Sequence, residues 1–244
     1  MKKFLLVLLF AYSAITFADI RSVHCPLGCP SLDIVNNDVV FNHTYALSNN
    51  PKTKFADWVA YEVNVTNFGD SPGRNWGNDA LVDDDESLEE ADYKGAFKAL
   101  KTDRGHQAPL ASFAGHKNWS ELNYLSNITP QKSALNQGAW VELEKAVRKA
   151  VAYRDSLYVI TGTLYSVMKT PLPGADELHA IPSAYFKVVY DATGNAASFI
   201  FDQDLPKKTN YCAQKISNKE LNSKIPFAMP KFMDSAKVLK RLRC

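Results

Sequence analysis

NQGAWVELEKAVRKAVAYR, residues 136–154, carries the clearest helical signal in the chain. From Gly138 to Arg154 it reads as helix, because Trp140, Leu143, Val147, Ala150 and Val151 fall on one apolar stripe at helical spacing. Glu144 and Arg148 stand four apart and are neighbours on the edge of that stripe. Strands lie on both sides in sequence. DWVAYEVNV (57–65) alternates, placing Val59, Tyr61, Val63 and Val65 on one face. LYVITGTLY (157–165), AYFKVVY (184–190) and ASFIF (197–201) read as further strands, and the basic tail from Lys231 to Arg243 as a short helix tied down at Cys244. Asp70-Ser71-Pro72-Gly73 is a turn that delivers Arg74-Asn75-Trp76. After DRGHQAP (103–109) the chain is expected to be irregular through SNITPQ (126–131), where Pro130 disfavours helix at Thr129. Strands and helices mix without strict alternation, so the fold class is α+β.

The N-terminus, MKKFLLVLLFAYSAITFA, has the basic, apolar and small-residue order of a removed export signal over residues 1–18, leaving a single domain over 19–244. Its apolar run is too short to span a bilayer comfortably, and no later segment is apolar for long enough. The mature protein is thus expected to be exported and free of the membrane. Without Lys2 and Lys3 the charges balance at 26 basic and 26 acidic side chains, which argues against gripping nucleic acid by bulk electrostatics alone. The distribution is uneven, however. Seven acids crowd VDDDESLEEAD (82–92), read most simply as a solvated loop, so the rest of the mature chain is basic by seven.

Cys25, Cys29, Cys212 and Cys244 are an even set in an exported chain, which favours disulfides. Cys25 and Cys29 flank the short turn Pro26-Leu27-Gly28, which leaves Cys212 for Cys244. Zinc is the weaker reading, since no second close Cys or His pair completes four ligands.

The sequence contains no HExxH, no G-x-S-x-G elbow and no glycine-rich phosphate loop. What remains is His106 among arginines, amides and carboxylates. That inventory suits metal-assisted attack by water on an anionic substrate.

DYKGAFKALKTDRGHQAPLASF (92–113) followed by NYLSNITPQKSALNQGAWVELEKAVR (123–148), with GRNW (73–76) upstream and the four cysteines, resembles the DNA/RNA non-specific endonuclease family. Ala99-Leu100-Lys101-Thr102 stands where that family often has an aromatic-Gly stretch before DRGH. The resemblance implies a mixed layered fold with an antiparallel sheet around a ββα-metal motif. It also implies a secreted endonuclease that cleaves DNA and RNA with little sequence preference to leave 5′-phosphate ends. His106 is then the general base, and Asn136 the direct ligand of one magnesium ion, for which manganese substitutes. Glu144 holds metal-bound water. Arg74, Arg104 and Arg148 contact phosphate, and Asn127 is an active-site asparagine. Asp103 is a supporting residue, and a homodimer is compatible with the family.

The chemistry independently favours these residue types. Arginine forks and an oxygen-loving cation neutralise charge that builds on a phosphodiester. A neutral amide leaves the cation's full charge available, and imidazole accepts a proton near neutral pH. Plain readings stand beside these: Asn136 as a helix cap, Glu144 with Arg148 as an ordinary helical ion pair, Arg74 with Trp76 as a stacked surface pair, and Trp140 as core. The rival functions are a nucleic-acid-binding protein with a degenerate site and a phosphodiesterase acting on small nucleotides. If the export reading holds, the intact mass of the exported protein begins at Asp19 with four hydrogens fewer than the all-thiol form. A mass retaining residues 1–18 refutes it.

Overall fold

A computed structural model describes residues 20–30, 36–70, 72–152 and 155–244. The expected export signal and the last expected helix residues, Tyr153 and Arg154, lie outside them. Ten strands are present among the described residues: β1 (Asp38–Phe41), β2 (Ala46–Asn50), β3 (Phe55–Val63), β4 (Thr102–His106), β5 (Ile128–Lys132), β6 (Leu157–Leu164), β7 (Ala184–Tyr190), β8 (Asn195–Asp202), β9 (Lys215–Ile216) and β10 (Met233–Asp234). Five short α-helices accompany them: α1 (Ala96–Leu100), α2 (Ser133–Leu135), α3 (Val141–Ala150), α4 (Asn218–Asn222) and α5 (Ala236–Arg241). The fold is α+β, as expected.

The main sheet runs β1-β2-β3-β6-β7-β8-β10, with β9 also on β8, and only the β8–β10 pair is parallel. Its central strands are covered on both faces. Along β7, Tyr185 and Val189 point into one apolar cluster, and Phe186, Val188 and Tyr190 into the other. The first cluster holds Val59, Tyr61 and Val63 of β3 together with Leu143 and Val147 of α3 and Trp140 just ahead of it, so the stripe read from sequence buries against the face read from sequence. Burying side chains of this size stabilises by about 1.5–3 kcal/mol each. Gly162 of β6 lies against the Asp57 carbonyl and the Phe186 ring, an approach that leaves no room for a Cβ.

Two expectations change. The segment through SNITPQ is not irregular: β5 pairs antiparallel with β4, setting Arg104 opposite Pro130 and His106 opposite Ile128. Proline is tolerated because no third strand pairs with β5, and on that outer edge the Pro130 carbonyl accepts from Tyr185 Oη (3.1 Å) and Gln203 Nε2 (2.9 Å). The helix begins later than expected. A wider π-type turn spans Asn136–Trp140, with Gly138 leaving helical geometry (φ −118, ψ −120). A Cβ at Gly138 would strike the carbonyl of Lys207, so glycine is what lets this turn seat on the neighbouring loop. β4, β5 and α3 together form the expected ββα arrangement.

Both expected disulfides are present, Cys25–Cys29 and Cys212–Cys244. The second anchors α5, whose Val238 and its neighbour Leu242 are fully buried in the first cluster. Arg241 fastens the same tail to the end of α3 through the Ala150 carbonyl (3.0 Å) and Asp155 (2.6 Å). Replacing Cys212 and Cys244 by serine should therefore lower stability by about 2–4 kcal/mol, read from the urea midpoint. An unchanged midpoint would show that packing alone holds the tail.

Candidate active site

The site is built around Asp103, the second residue of β4. Its carboxylate accepts hydrogen bonds from Ser133 Oγ (2.5 Å), Asn136 Nδ2 (2.9 Å) and Gln137 Nε2 (2.9 Å). Three donors occupy the carboxylate, so Asp103 orients its neighbours, in keeping with a supporting role. The bond to Asn136 uses the amide nitrogen and leaves Oδ1 as the outward acceptor. A neutral oxygen held in this way suits a hard, oxygen-seeking cation such as magnesium, which retains most of its water. The acids that gather within metal-ligating reach among the described residues, Asp92, Asp176 and Glu177, include none of the expected ligands.

Asn136 shares a cleft of about 610 Å³ with Arg74, Trp76, Tyr93, Phe97 and Arg104. The Arg104 guanidinium lies between the rings of Trp76 (5.1 Å) and Tyr93 (5.4 Å). Glu90 pins it with its carboxylate (3.3 Å) and its backbone carbonyl (3.0 Å). The acidic stretch is therefore more than a solvated loop: Glu90 sets Arg104, while Asp92 is buried and accepts from the Glu89 backbone N–H at 2.6 Å. Arg74 is exposed, and Trp76 stacks on Arg104 and His106, so the expected Arg74–Trp76 pair is replaced.

His106 closes β4. Its ring lies 5.5 Å from that of Trp76, and its Nε2 meets Asn123 Oδ1 at 3.1 Å. Asn123 is fully buried, and its Nδ2 donates to the Gly73 carbonyl (3.4 Å), which turns Oδ1 toward the imidazole. Nε2 thus carries the hydrogen and Nδ1 keeps the lone pair that a base requires. Burial pushes the imidazole pKa down to about 4; Asn123 opposes the shift and the positive charge of Arg74 adds to it.

The remaining expected residues divide. Glu144 is buried beneath the outer surface of α3, with its carboxyl pushed up by burial and pulled down by Lys187 and Arg148. Arg148 faces a separate depression with Phe68, Ala111, Lys145 and Lys149, not the cleft of Arg74 and Arg104. Its Nη1 is buried without a hydrogen-bond partner among the described residues, as is Arg104 Nε. Both nitrogens are closed off from solvent, so an anion would reach them only after the side chains shift. Asn127, expected as an active-site asparagine, shapes the loop. It is fully buried, with Oδ1 accepting from Ala108 N (2.8 Å) and Nδ2 donating to the carbonyls of Ala108 (3.0 Å) and Leu122 (2.9 Å). Sequence reasoning missed Asn123 and Glu90. An asparagine ahead of SNITPQ and one acid among seven give no local signal of contact with residues 17 and 14 positions away.

Comparison with known proteins bears on the family and the fold. The sequence profile of the DNA/RNA non-specific endonuclease family matches residues 29–229. A nuclease of Serratia marcescens is 46% identical over 207 residues, covering 82% of this chain and 77% of its own. Human mitochondrial endonuclease G is 32% identical over 169 residues, 62% of this chain and 54% of its own length, so the chain spans about half of that relative. A chain of the solved EndoG/EndoGI complex superposes with a TM-score of 0.69 at 22% identity, over 85% of this chain and 90% of that one, a likeness of fold.

The lowered imidazole pKa has a direct consequence. A histidine serves as a base only when neutral, so if His106 has that role, activity is present above its pKa and is lost as pH falls through it. The acid limb of kcat/KM should lie below the ordinary 6.5, toward about 4. A limb at or above 6.5 that disappears in His106→Ala would overturn this environment.

Proposed function

The chain belongs to the DNA/RNA non-specific endonuclease family, and from that premise we propose that it hydrolyses phosphodiesters of both nucleic acids with one magnesium ion held at Asn136. The observation that carries the reading is the Asp103 bridge, which fixes the Asn136 amide with its oxygen outward in the cleft of Arg74 and Arg104. Magnesium bound there would supply positive charge to the non-bridging and departing oxygens.

The protein groups supply the rest. Arg74 and Arg104 bind the phosphate as planar forks, and the stacked aromatics and Glu90 hold the second fork in one pose. His106 Nδ1 takes a proton from water as its oxygen attacks phosphorus. The bond from phosphorus to the 3′-oxygen breaks, and the departing oxygen takes a proton from solvent, leaving a 5′-phosphate and a 3′-hydroxyl. Asn123 holds the imidazole hydrogen on Nε2 throughout this step. Glu144 would accept a hydrogen bond from water on that magnesium ion, and Arg148 would meet nucleic-acid phosphate at the separate depression it lines. None of these contacts reads a base edge, which accounts for action on both nucleic acids.

The family profile overlies one continuous main sheet, which supports a single domain over 19–244. The two disulfides support export, and no described helix is long and apolar enough to cross a membrane. A homodimer is the assembly to test by sedimentation.

Closed circular plasmid and RNA, each digested with magnesium and with chelator, test the whole reading. Nicking of the circle together with RNA breakdown, both abolished by chelator, is the expected result. A circle left intact while small diesters are cleaved would establish the phosphodiesterase rival, and binding without cleavage the degenerate one. Asn136→Ala should lose activity steeply at limiting magnesium while melting normally. His106→Ala should lose about 10²- to 10⁴-fold. That deficit should persist on a nitrophenyl phosphodiester, whose leaving group needs no proton, whereas rescue there would make His106 the acid instead.

A further inference from the structure

Lys187 has no part in the chemistry just described, yet it is 0% exposed in the middle of β7. Its ammonium lies 3.9 Å from the Trp140 ring centroid, 3.2 Å from the Tyr61 hydroxyl and 3.7 Å from Glu144 Oε1. It points into the same face as Tyr185 and Val189, under α3. Replacing a buried ion pair such as Lys187 and Glu144 by apolar side chains of similar volume is often neutral or stabilising. Packing therefore gives no reason for the charge.

Glu144 gives one. Burial pushes its carboxyl up and the Lys187 ammonium down to about 8, and each charge opposes the other's shift. Arg148, one turn along α3, also acts on Glu144, but its side chain opens onto the surface depression with Lys145 and Lys149. Lys187 contacts the carboxylate from within the core, where neither side chain has room to wander.

We propose that Lys187 is a positioning residue of the metal site, the buried counter-charge that holds the Glu144 carboxylate in one orientation so that it can accept hydrogen bonds from water on the cation. The inference rests on the reading of Glu144 as the acceptor for that water. Supports of this kind are typically worth about 10- to 100-fold in metal affinity.

Titration of the full chain with manganese(II) alone, following the free-ion electron paramagnetic resonance signal, tests it without turnover. E144Q should weaken binding about 10- to 100-fold, and K187M about 10-fold or more. The double variant K187M/E144Q should bind no more weakly than E144Q, because the lysine acts only through the glutamate. K187M should melt below the wild-type temperature, because it leaves the Glu144 carboxylate buried with Arg148 as its remaining counter-charge, and K187M/E144Q should melt above K187M. An unchanged affinity in E144Q would sink the reading of Glu144 itself. A weakened E144Q beside an unchanged K187M, or losses that add in the double variant, would overturn the role of Lys187 alone. If K187M does not fold, K187Q takes its place with the same expectation. Failure of both to fold would make the lysine structural and overturn the proposal.

Discussion

One carboxylate joins the parts of this site. Asp103 sits on β4, and its three donors come from α2 and the turn that follows it, so strand and turn are fixed to each other by side-chain hydrogen bonds. Removing it would release Asn136 and Gln137 together. The backbone pairing of β4 with β5 sets the register that presents Arg104 and His106, while the Asp103 bridge sets the far wall at Asn136. Gly138 lets the turn bend back against Lys207, and the nearby Lys207 Nζ reaches the Gln137 side chain at 3.2 Å. Each partner is short and polar. The geometry depends on all of them being satisfied at once.

The central strands were legible in the sequence because they obey strong rules. Val59, Tyr61 and Val63 alternate, and their face is the one that α3 covers. AYFKVVY, read as a strand from its β-branched and aromatic content, spans β7 residue for residue. The pair β4–β5 was not legible. Each strand has five residues, both are polar, and one holds a proline, so their pairing is a tertiary fact with no local pattern behind it. The start of α3 was misplaced for a similar reason. Gly138 obeys a contact with Lys207, about seventy positions away, which no helical periodicity reports.

The site was legible through residue types arranged in order, and less so through their roles. His106 ends β4, and Asn136 lines the cleft with Arg74 and Arg104. Asn127 was expected as an active-site asparagine, and buried backbone groups at Ala108 and Leu122 claim its whole amide. An asparagine that satisfies three buried backbone atoms is worth conserving in any loop that presents a base, so a motif position does not separate contact from support. Asn123, four residues earlier, is the one that reaches the imidazole.

The two faces of the main sheet divide the work between stability and charge. The face carrying Trp58, Ile160, Phe186, Val188 and Tyr190 is closed by apolar residues of the C-terminal segment, Leu221, Ile225 and Phe227 among them. The other face lies beneath α3 and admits Lys187 and Glu144 into a comparably dry interior. Charges buried there interact more strongly than in water, and they are costly to hold. Apolar contacts elsewhere on the same strands must offset that cost, which β7 illustrates within seven residues: Lys187 faces Glu144, while Phe186 and Val188 on either side pack into the purely apolar layer. A strand anchored on its far face can keep an ammonium on its near one. The core of this fold is thereby part of its electrostatics as well as its support.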